Sequence, residues 1–305
     1  MNIKIVVPAH NEGKNITNVL ESIYSASIPN EVEISCTVVA NGCDDNTAQI
    51  VKLYIEDKKL FNLIELAEGH KAKSLNKGFA NVSNDTLCVV IDADTVISNN
   101  FIEKIYKIYS TNKEIHVLGA DYVPALERLS PSSFLYKYEL FEHISRQENP
   151  FSLPIGRFMV FKKEDYPSVP EDLCGDDYYV SIDSWKRFGM NSVFCDKEIK
   201  LIFFPATNWN DLILQRTRWV QGNTQLAERY SYLKEAMEGR ERKVREYKLE
   251  HKNEIIDILR KKGFTEKEMQ MILFIRTELI NENAEIGPSL VDGNGTWIAN
   301  ESTRG

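Results

Sequence analysis

Two carboxylates stand directly after the most continuous apolar run in the first third of the sequence. Asp92 and Asp94 flank Ala93, and they follow Leu87–Ile91, a run typical of a buried central strand. Carboxylates spaced in this way converge where the chain turns, and there they suit Mg²⁺ or Mn²⁺, which prefer oxygen ligands. The simpler interpretation is a solvated turn at the strand end. The pattern therefore indicates a candidate metal site that needs support from neighbouring segments.

Cations occupy a second segment. Lys71 and Lys73 lie near the start of Gly69–Gly78, where a loop passes into a helix. The backbone N–H groups at the N-terminus of a helix favour an anion, so lysines at this place predict a phosphate-binding position. The alternative is a pair of solvated lysines on a surface helix.

Polar side chains also follow the first two apolar runs. The first run ends in Pro8-Ala9-His10-Asn11-Glu12, and the second in the loop Asn41–Asp45. Either segment is alternatively a plain turn or a helix cap. Together with the two segments above, they place polar groups after each of the first four predicted strands.

The elements that must position these residues alternate between strand and helix. Segments with helical spacing separate four apolar runs, at residues 3–7, 34–39, 61–66 and 87–91. Repeated β-α-β units predict an α/β fold with a parallel sheet and helices on both faces. Ligands of such sheets bind beyond the carboxyl ends of the strands. This rule directs attention to the loops at residues 8–12, 40–46, 67–73 and 92–95.

Further along the chain the pattern is less regular. We expect helices at residues 100–110, 134–138, 177–188, 228–262 and 266–280, and strands at residues 117–123, 158–162 and 201–204.

In their order and spacing, the motifs resemble those of the family 2 glycosyltransferases, which have the GT-A fold. The matching segments are Val7–Glu12, Val38–Thr47, Gly69–Gly78, Ile91–Thr95, Gly175–Ser181 and Gln215–Trp219. They are similar, respectively, to the opening V-P-x-x-N-E, the nucleoside-binding loop, G-x-K-x-x-x-L-N-x-G, the metal-binding D-x-D, the G-D-D of the catalytic base, and Q-x-x-R-W. The last signature is best known from processive polysaccharide synthases.

The resemblance implies a role for each matched residue. Asp177 would be the catalytic base, with its neighbour Asp176 as the alternative; both are also good N-cap residues for a helix at 178–188. Asp92 and Asp94 would hold Mn²⁺ or Mg²⁺, and Arg157 would line the acceptor pocket. The donor would be bound by Pro8, His10, Asn11, Glu12, Asn41, Asp45, Lys71, Lys73, Asp92, Ala93, Asp94, Gln215, Arg218 and Trp219.

The Q-x-x-R-W segment has helical spacing. Positions i, i+3 and i+4 share one face of a helix, so Gln215, Arg218 and Trp219 would point together. Arg218 would face the diphosphate, and Trp219 would stack on the sugar or the acceptor. The structural alternative is that Trp219 anchors its helix in the core.

One position departs from the family pattern. The nucleoside-binding loop usually carries an aspartate that recognises uracil, but Ala40 and Asn41 stand there in this sequence. The asparagine amide has both a donor and an acceptor for a base. The departure leaves the choice of uridine over another nucleoside open.

Composition narrows the class of protein. The 305 residues carry a net charge of -8, which weighs against a nucleic-acid partner, because phosphate backbones demand concentrated lysine and arginine. No apolar run approaches the roughly 20 residues of a membrane span, and no signal peptide is evident at the N-terminus. Five cysteines without a C-x-x-C pair indicate reduced thiols. These features predict a cytoplasmic protein, either free or peripheral to a membrane.

With the resemblance, these features predict a domain organisation. Residues 1–225 would form the GT-A catalytic domain, residues 226–283 a charged helical extension, and residues 284–305 a loosely docked tail. A charge-rich helix usually presents a solvated face, but this extension is also a candidate surface for homo-oligomerisation or for a partner.

The predicted function is metal-dependent, inverting transfer of a sugar from a nucleotide-sugar donor, expected to be a UDP-sugar. One or a few additions are expected, because the Q-x-x-R-W segment leads into charged helices and not into membrane helices. The sequence does not identify the acceptor. Two alternatives stay open: a nucleotidyltransferase acting on a sugar phosphate, and a non-catalytic protein that binds nucleotide sugars or serves as a scaffold.

Overall fold

A computed structural model describes residues 1–166 and 168–279. The predicted tail at residues 284–305 lies outside the described residues. The strands are β1 (Asn2–Ala9), β2 (Glu33–Asn41), β3 (Phe61–Leu66), β4 (Leu87–Ile91), β5 (Thr95–Ile97), β6 (Val117–Pro124), β7 (Phe158–Lys162) and β8 (Val193–Phe203). The helices are α1 (Ile16–Tyr24), α2 (Thr47–Ile55), α3 (Lys71–Gly78), α4 (Phe101–Thr111), α5 (Phe134–Gln147), α6 (Asp176–Phe188), α7 (Trp209–Arg229), α8 (Lys234–Glu250), α9 (Lys252–Lys261) and α10 (Glu266–Phe274).

The strands form one eight-stranded mixed sheet in the order β3-β2-β1-β4-β7-β6-β8-β5. Its first half is parallel, as the β-α-β pattern predicts: β2 and β4 flank β1, and β3 pairs with β2. The chain winds outward from β1 to β3 and then returns to the other side of β1 through β4. That reversal opens a crevice at the carboxyl ends of β1 and β4, which is where ligands of open α/β sheets bind.

Both faces of the sheet are covered. All five residues of β4 are buried, as a central strand requires. The spacing that predicted α1 is confirmed, because its four apolar residues are fully buried on one face of the sheet, at Ile16, Val19, Leu20 and Ile23. On the other face, Leu75 of α3 and Val180 of α6 pack against Val90 and Met159.

The sequence prediction was wrong in two places in the later part of the chain. β8 starts at Val193 and not at 201, and its first half escaped the pattern because most of its side chains are exposed or half-buried. The expected helix at 228–262 is two helices, α8 and α9, which meet at His251 without a proline or glycine to mark the break. The break at Gly263 is confirmed, with φ of +80°.

The charged extension packs on the rest of the fold. α7 continues through residue 225 to Arg229, and Leu233 and Met237 then pack with Tyr178 and Ile182 of α6. α9 and α10 cover α5 in a separate apolar cluster that includes Tyr138, Phe141, Leu259, Met269 and Ile272. Within the described part of the chain, no helix has both the length and the apolar character to cross a bilayer.

Candidate active site

A cavity of about 710 Å³ opens at the carboxyl ends of β1 and β4. It brings together most of the residues that the sequence selected, namely Pro8, His10, Glu12, Asn41, Lys71, Asp92, Ala93, Asp94, Arg157, Asp177, Gln215, Arg218 and Trp219. Four others do not line it: Asn11, Asp45, Lys73 and Asp176. Motifs that lie more than about two hundred residues apart in the sequence therefore meet at the wall of one cavity.

Lys71 is fixed at the centre of that wall. Its ammonium lies 2.7 Å from Asp92 Oδ1 and donates to the carbonyl oxygen of Gly156 at 2.8 Å. Burial alone would lower the pKa of Lys71, but the charges of Asp92, Asp176 and Asp177 raise it above the ordinary value. Lys71 is therefore a permanent cation in a low-dielectric site.

Asp94 has a different partner. One carboxylate oxygen, Oδ2, lies 2.9 Å from the Arg157 guanidinium, which itself stacks 4.5 Å from the centre of the Phe203 ring. The other oxygen, Oδ1, is buried and has no hydrogen-bond partner among the described residues. A buried carboxylate oxygen without a donor is costly, and a cation would satisfy it.

The two aspartates of the G-D-D segment begin α6, and they do not cap it. Gly175 is the N-cap residue, so the interpretation of Asp176 or Asp177 as an N-cap was wrong. Asp177 turns to the cavity and accepts the Gly156 N–H at 2.7 Å through Oδ2. Asp176 is buried, and burial, together with the charges of Asp177 and Asp92, raises its pKa to about 7.

Gly156 lies where these contacts meet. Its carbonyl accepts from Lys71 and its N–H donates to Asp177. A Cβ atom at this position would lie 2.8 Å from the Lys71 ammonium nitrogen, so only glycine leaves room for this approach. We call this region, with Asp92, Asp94 and Asp177, the carboxylate end of the cavity.

Asn41 braces the loops above β1 and β2. Its side chain is buried, donates to the Ala9 carbonyl at 2.8 Å and accepts the His70 N–H at 3.0 Å. His10 lies 2.8 Å from the Asn41 carbonyl oxygen through Nδ1. The next residue, Gly42, has φ of +59°, and a Cβ there would clash with the Gly69 backbone. This framework therefore uses both polar atoms of the Asn41 amide.

Three of the predicted site residues that do not line the cavity form contacts within the neighbouring loops. Asn11 exchanges two hydrogen bonds with Asp44, at 2.9 and 3.0 Å. Asp45 accepts the N–H groups of Gly13 and Thr47. Lys73 lies 3.2 Å from Glu68 at the surface. Their contacts stabilise the turns that follow β1, β2 and β3.

The Q-x-x-R-W segment lies on α7. Gln215, Arg218 and Trp219 all reach the cavity, as their spacing predicts. Trp219 is 56% exposed, so the alternative of a core anchor was wrong. The intervening Arg216 is less exposed, lying 3.9 Å from the buried Glu139.

Sequence reasoning missed the far side of the cavity. Residues of α5 line it together with one face of α8 and a residue after α10, namely Glu139, Glu142, His143, Arg146, Arg240, Val244, Lys248 and Arg276. On α8, Arg240, Val244 and Lys248 are spaced four residues apart, so they lie on one face of the helix. The sequence did not reveal this face, because charged residues occur on every side of α8. We call the group Arg146, Arg240, Lys248 and Arg276 the cationic end.

Residues that could hold a metal are few. In the described ranges, no group of three or more His, Cys, Asp or Glu side chains is placed to hold an ion. The pair Asp92 and Asp94, with the unsatisfied Asp94 Oδ1, fits a cation that takes its other ligands from a bound substrate.

A family model described as Glycosyl transferase family 2 matches residues 4–170, more than half of the chain. The chain belongs to glycosyltransferase family 2.

Curated relatives within this family are distant. The poly-beta-1,6-N-acetyl-D-glucosamine synthase of Staphylococcus aureus is 26% identical over 236 residues, which cover 72% of this chain and 54% of the synthase. Uncharacterized glycosyltransferase MG060 of Mycoplasma genitalium is 24% identical over 180 residues, or 56% of this chain and 58% of MG060. The chain thus spans about half the length of these relatives.

Solved structures of glycosyltransferases share the fold. The mannosyltransferase PcManGT of Pyrobaculum calidifontis, in complex with GDP-Man and Mn²⁺, is 15% identical with a TM-score of 0.56 over 93% of this chain and 83% of its own. Glucosyl-3-phosphoglycerate synthase of Mycobacterium tuberculosis, in complex with Mn²⁺, UDP and glucosyl-3-phosphoglycerate, is 18% identical with a TM-score of 0.50 over 74% of this chain and 79% of its own. The predicted GT-A fold with C-terminal helices is confirmed.

The family match covers the two ends of the cavity unequally. Residues 4–170 include Lys71, Asp92, Asp94 and Gly156. They stop before α6, α7 and α8, so most of the cationic end lies outside the shared family region.

Proposed function

We propose that this protein transfers a sugar from a nucleotide-sugar donor, expected to be a UDP-sugar, to an acceptor hydroxyl with inversion at the anomeric carbon. One observation carries the proposal: Lys71 joins Asp92 to the Gly156 carbonyl, and the Gly156 N–H holds Asp177, all at the cavity. The site thereby places three groups within reach of one substrate: a permanent cation, a candidate metal ligand and a candidate base.

The donor diphosphate would lie against Lys71 and Arg218, with Gln215 beside it. Cations fixed in a buried site stabilise the charge that develops on the leaving diphosphate, and they need no reorganisation to do so. The nucleoside would lie along Pro8, His10 and Glu12. Because the Asn41 amide is committed to Ala9 and His70, we assign Asn41, with Asn11, Asp45 and Lys73, to holding the donor loops.

Asp92 and Asp94 would hold Mn²⁺ or Mg²⁺ together with donor oxygens, and Ala93 between them would contact the donor. The ion would neutralise the departing diphosphate as a Lewis acid. The unsatisfied Asp94 Oδ1 supports this assignment. Arg157 would orient Asp94 through its contact at 2.9 Å.

Asp177 would be the general base. Geometry favours it over Asp176, because Asp177 lines the cavity and Asp176 does not. The Gly156 N–H would hold the Asp177 carboxylate in place while it takes the acceptor proton. The acceptor oxygen would attack the anomeric carbon as the bond to the diphosphate breaks on the opposite side, which inverts the configuration.

The acceptor would enter over Trp219 and Arg157. We also propose that the charged helices limit the reaction to one or a few additions, and that residues 1–225 carry the chemistry and 226–283 extend the site. The cytoplasmic location, peripheral membrane association and self-association of the charged helices stay predictions.

A donor screen tests the proposal. Thermal shifts with UDP-glucose, UDP-N-acetylglucosamine and GDP-mannose, each with and without Mn²⁺, should single out one donor through a metal-dependent rise in Tm. Incubation of that donor with acceptor mixtures should release the nucleoside diphosphate. Pyrophosphate release from a nucleoside triphosphate and a sugar phosphate would instead identify a nucleotidyltransferase. Donor binding without turnover on any acceptor would identify a binding protein or scaffold.

A further inference from the structure

The cationic end carries four positive charges, and the charge of one buried carboxylate, Glu142, acts on three of them, namely Arg146, Lys248 and Arg276. Arg276 has a carboxylate partner, since it lies 2.9 Å from Glu142. Among the described residues, no carboxylate forms an ion pair with Arg146, Arg240 or Lys248. This contrasts with a net charge of -8 for the whole chain.

Two of the three arginines of this group are held by backbone oxygens. Arg146 donates to the Leu153 carbonyl at 2.8 Å, and Arg240 donates to the Phe151 carbonyl at 3.0 and 3.2 Å. Neutral acceptors fix the positions of the guanidinium groups without cancelling their charge. Each arginine keeps further N–H donors for a ligand, because a guanidinium has five.

The cations repel one another in a partly buried place. Burial lowers the pKa of Lys248, and the charges of Arg276 and Arg240 lower it further, although the charge of Glu142 opposes them. Burial also lowers the pKa of Arg240, with a contribution from Arg146 in the same direction. Like charges kept together at a cavity wall are relieved by a bound anion.

The cationic end lies close to the candidate base. Leu153, whose carbonyl binds Arg146, precedes Gly156, whose N–H binds Asp177, by three residues. Three residues of extended chain span at most about 11 Å. Arg146 and Asp177 also line the same cavity, so one bound molecule can reach both.

The structure points to a phosphate site: we infer that the cationic end binds a phosphate group carried by the acceptor. That the phosphate belongs to the acceptor rests on the proposed function. That the ligand is a phosphate rests on the three cations without a carboxylate in an ion pair. Three unpaired cations suit a phosphomonoester, which carries a charge near -2 at neutral pH, better than a carboxylate. The donor diphosphate has its own cations, Lys71 and Arg218, elsewhere in the cavity.

Lys248 gives the cleanest variant, because no side chain in the described ranges forms a hydrogen bond or an ion pair with its ammonium group. The matched control is Lys243→Gln, which removes the same charge from the exposed side of the same helix. Titration calorimetry would use the full chain with inorganic phosphate, in the absence and presence of saturating UDP and Mn²⁺. We expect phosphate to bind the wild type and Lys243→Gln equally with UDP present, and to bind Lys248→Gln about tenfold more weakly.

A second pair of probes identifies the source of the phosphate. Glucose 6-phosphate represents a free acceptor, and vesicles containing a polyprenyl phosphate represent a lipid-borne one. If Lys248→Gln weakens the binding of either probe, the inference is supported. The probe that binds identifies the source of the phosphate. Binding of glucose or glucuronate as tightly as glucose 6-phosphate would contradict it.

The outcomes separate this inference from the proposed function. If UDP binds but phosphate binds both variants equally, or does not bind the wild type at all, the phosphate site is wrong and the proposed function stands. If no nucleotide binds while Lys248→Gln still weakens phosphate binding, the site stands and the proposed function is wrong.

Discussion

At the carboxylate end of the cavity, Asp92 directly follows β4, and Lys71 begins the helix that follows β3, another strand of the parallel half of the sheet. At the cationic end, Arg240 and Lys248 lie on one face of a helix far along the chain. The first arrangement follows from strand order alone, because the carboxyl ends of parallel strands meet at one sheet edge. The second exists only when α8 docks, through Leu233 and Met237, against α6.

The two ends also differ in how their charges are balanced. At the carboxylate end, Asp92 is paired with Lys71, and Asp94 with Arg157. At the cationic end, three cations lack a carboxylate partner in the described part of the chain. One end therefore holds its charges in pairs, and we propose that the other is completed by what it binds. Substitutions can separate these two behaviours.

The largest effect is expected from Asp177, the residue of the carboxylate end that we propose as the base. Asp177→Asn removes the proposed proton acceptor and keeps the size of the side chain, so the transfer rate should fall about 10³-fold. UDP binding and phosphate binding should both stay within about twofold of the wild type. Initial rates and calorimetry measure the three quantities. Full transfer activity in this variant would refute the role of Asp177 as the base.

A smaller effect is expected from the carboxylate end alone. Asp94→Asn weakens a metal ligand and its contact with Arg157, so Mn²⁺-dependent UDP affinity should fall about 10- to 100-fold. Phosphate binding at the cationic end should not change. Asp57→Asn, at an exposed position, is the control. UDP binding that is equally strong with EDTA as with Mn²⁺ in the wild type would argue against a metal at Asp92 and Asp94.

The cationic end should depend on helix docking. Met237 lies on the buried face of α8 and is 8% exposed. Met237→Ala should lower the free energy of unfolding by about 2 kcal/mol. It should weaken phosphate binding severalfold and leave UDP binding intact. Met271→Ala, at a residue that is 48% exposed, should have little effect on stability. Urea denaturation and calorimetry test both variants. Equal loss of UDP and phosphate binding in Met237→Ala would mean that the two ends do not respond separately.

The smallest effect concerns Asp176 and depends on pH. Its folded pKa is raised to about 7, so its favourable contribution to stability is complete below the unfolded value near 4 and is lost as the pH rises through 7. Asp176→Asn cannot ionise. Its Tm should therefore match the wild type near pH 4 and exceed it by several degrees at pH 8, as scanning calorimetry would measure. If the difference in Tm between the variant and the wild type shrinks as the pH rises, the pKa of Asp176 is not raised in the folded protein.

Much of the fold and of the carboxylate end could be predicted from the sequence. The apolar run Leu87–Ile91 identified β4, and the rule about strand ends then placed Asp92 and Asp94 beside Lys71. Local patterns suffice here because each functional residue lies within a few residues of the strand or helix that positions it.

The cationic end could not be predicted, for physical reasons. Arg240 and Lys248 have many charged neighbours, and their position depends on which face of α8 packs inward, decided by two apolar residues, Leu233 and Met237. The contacts of Asn41 were hidden for a similar reason, because its partners His70 and Ala9 are distant in sequence.

Trp219 offers a thermodynamic way to tell which ligand occupies which end. More than half of its surface is in contact with water at the cavity wall. A ring that covers the indole removes apolar area from water, and such removal gives a negative heat-capacity change. An anion at Arg146 and Lys248 exchanges polar hydration shells and covers little apolar surface. The binding enthalpy of a ligand at Trp219 should therefore vary steeply with temperature, whereas that of phosphate should stay nearly constant.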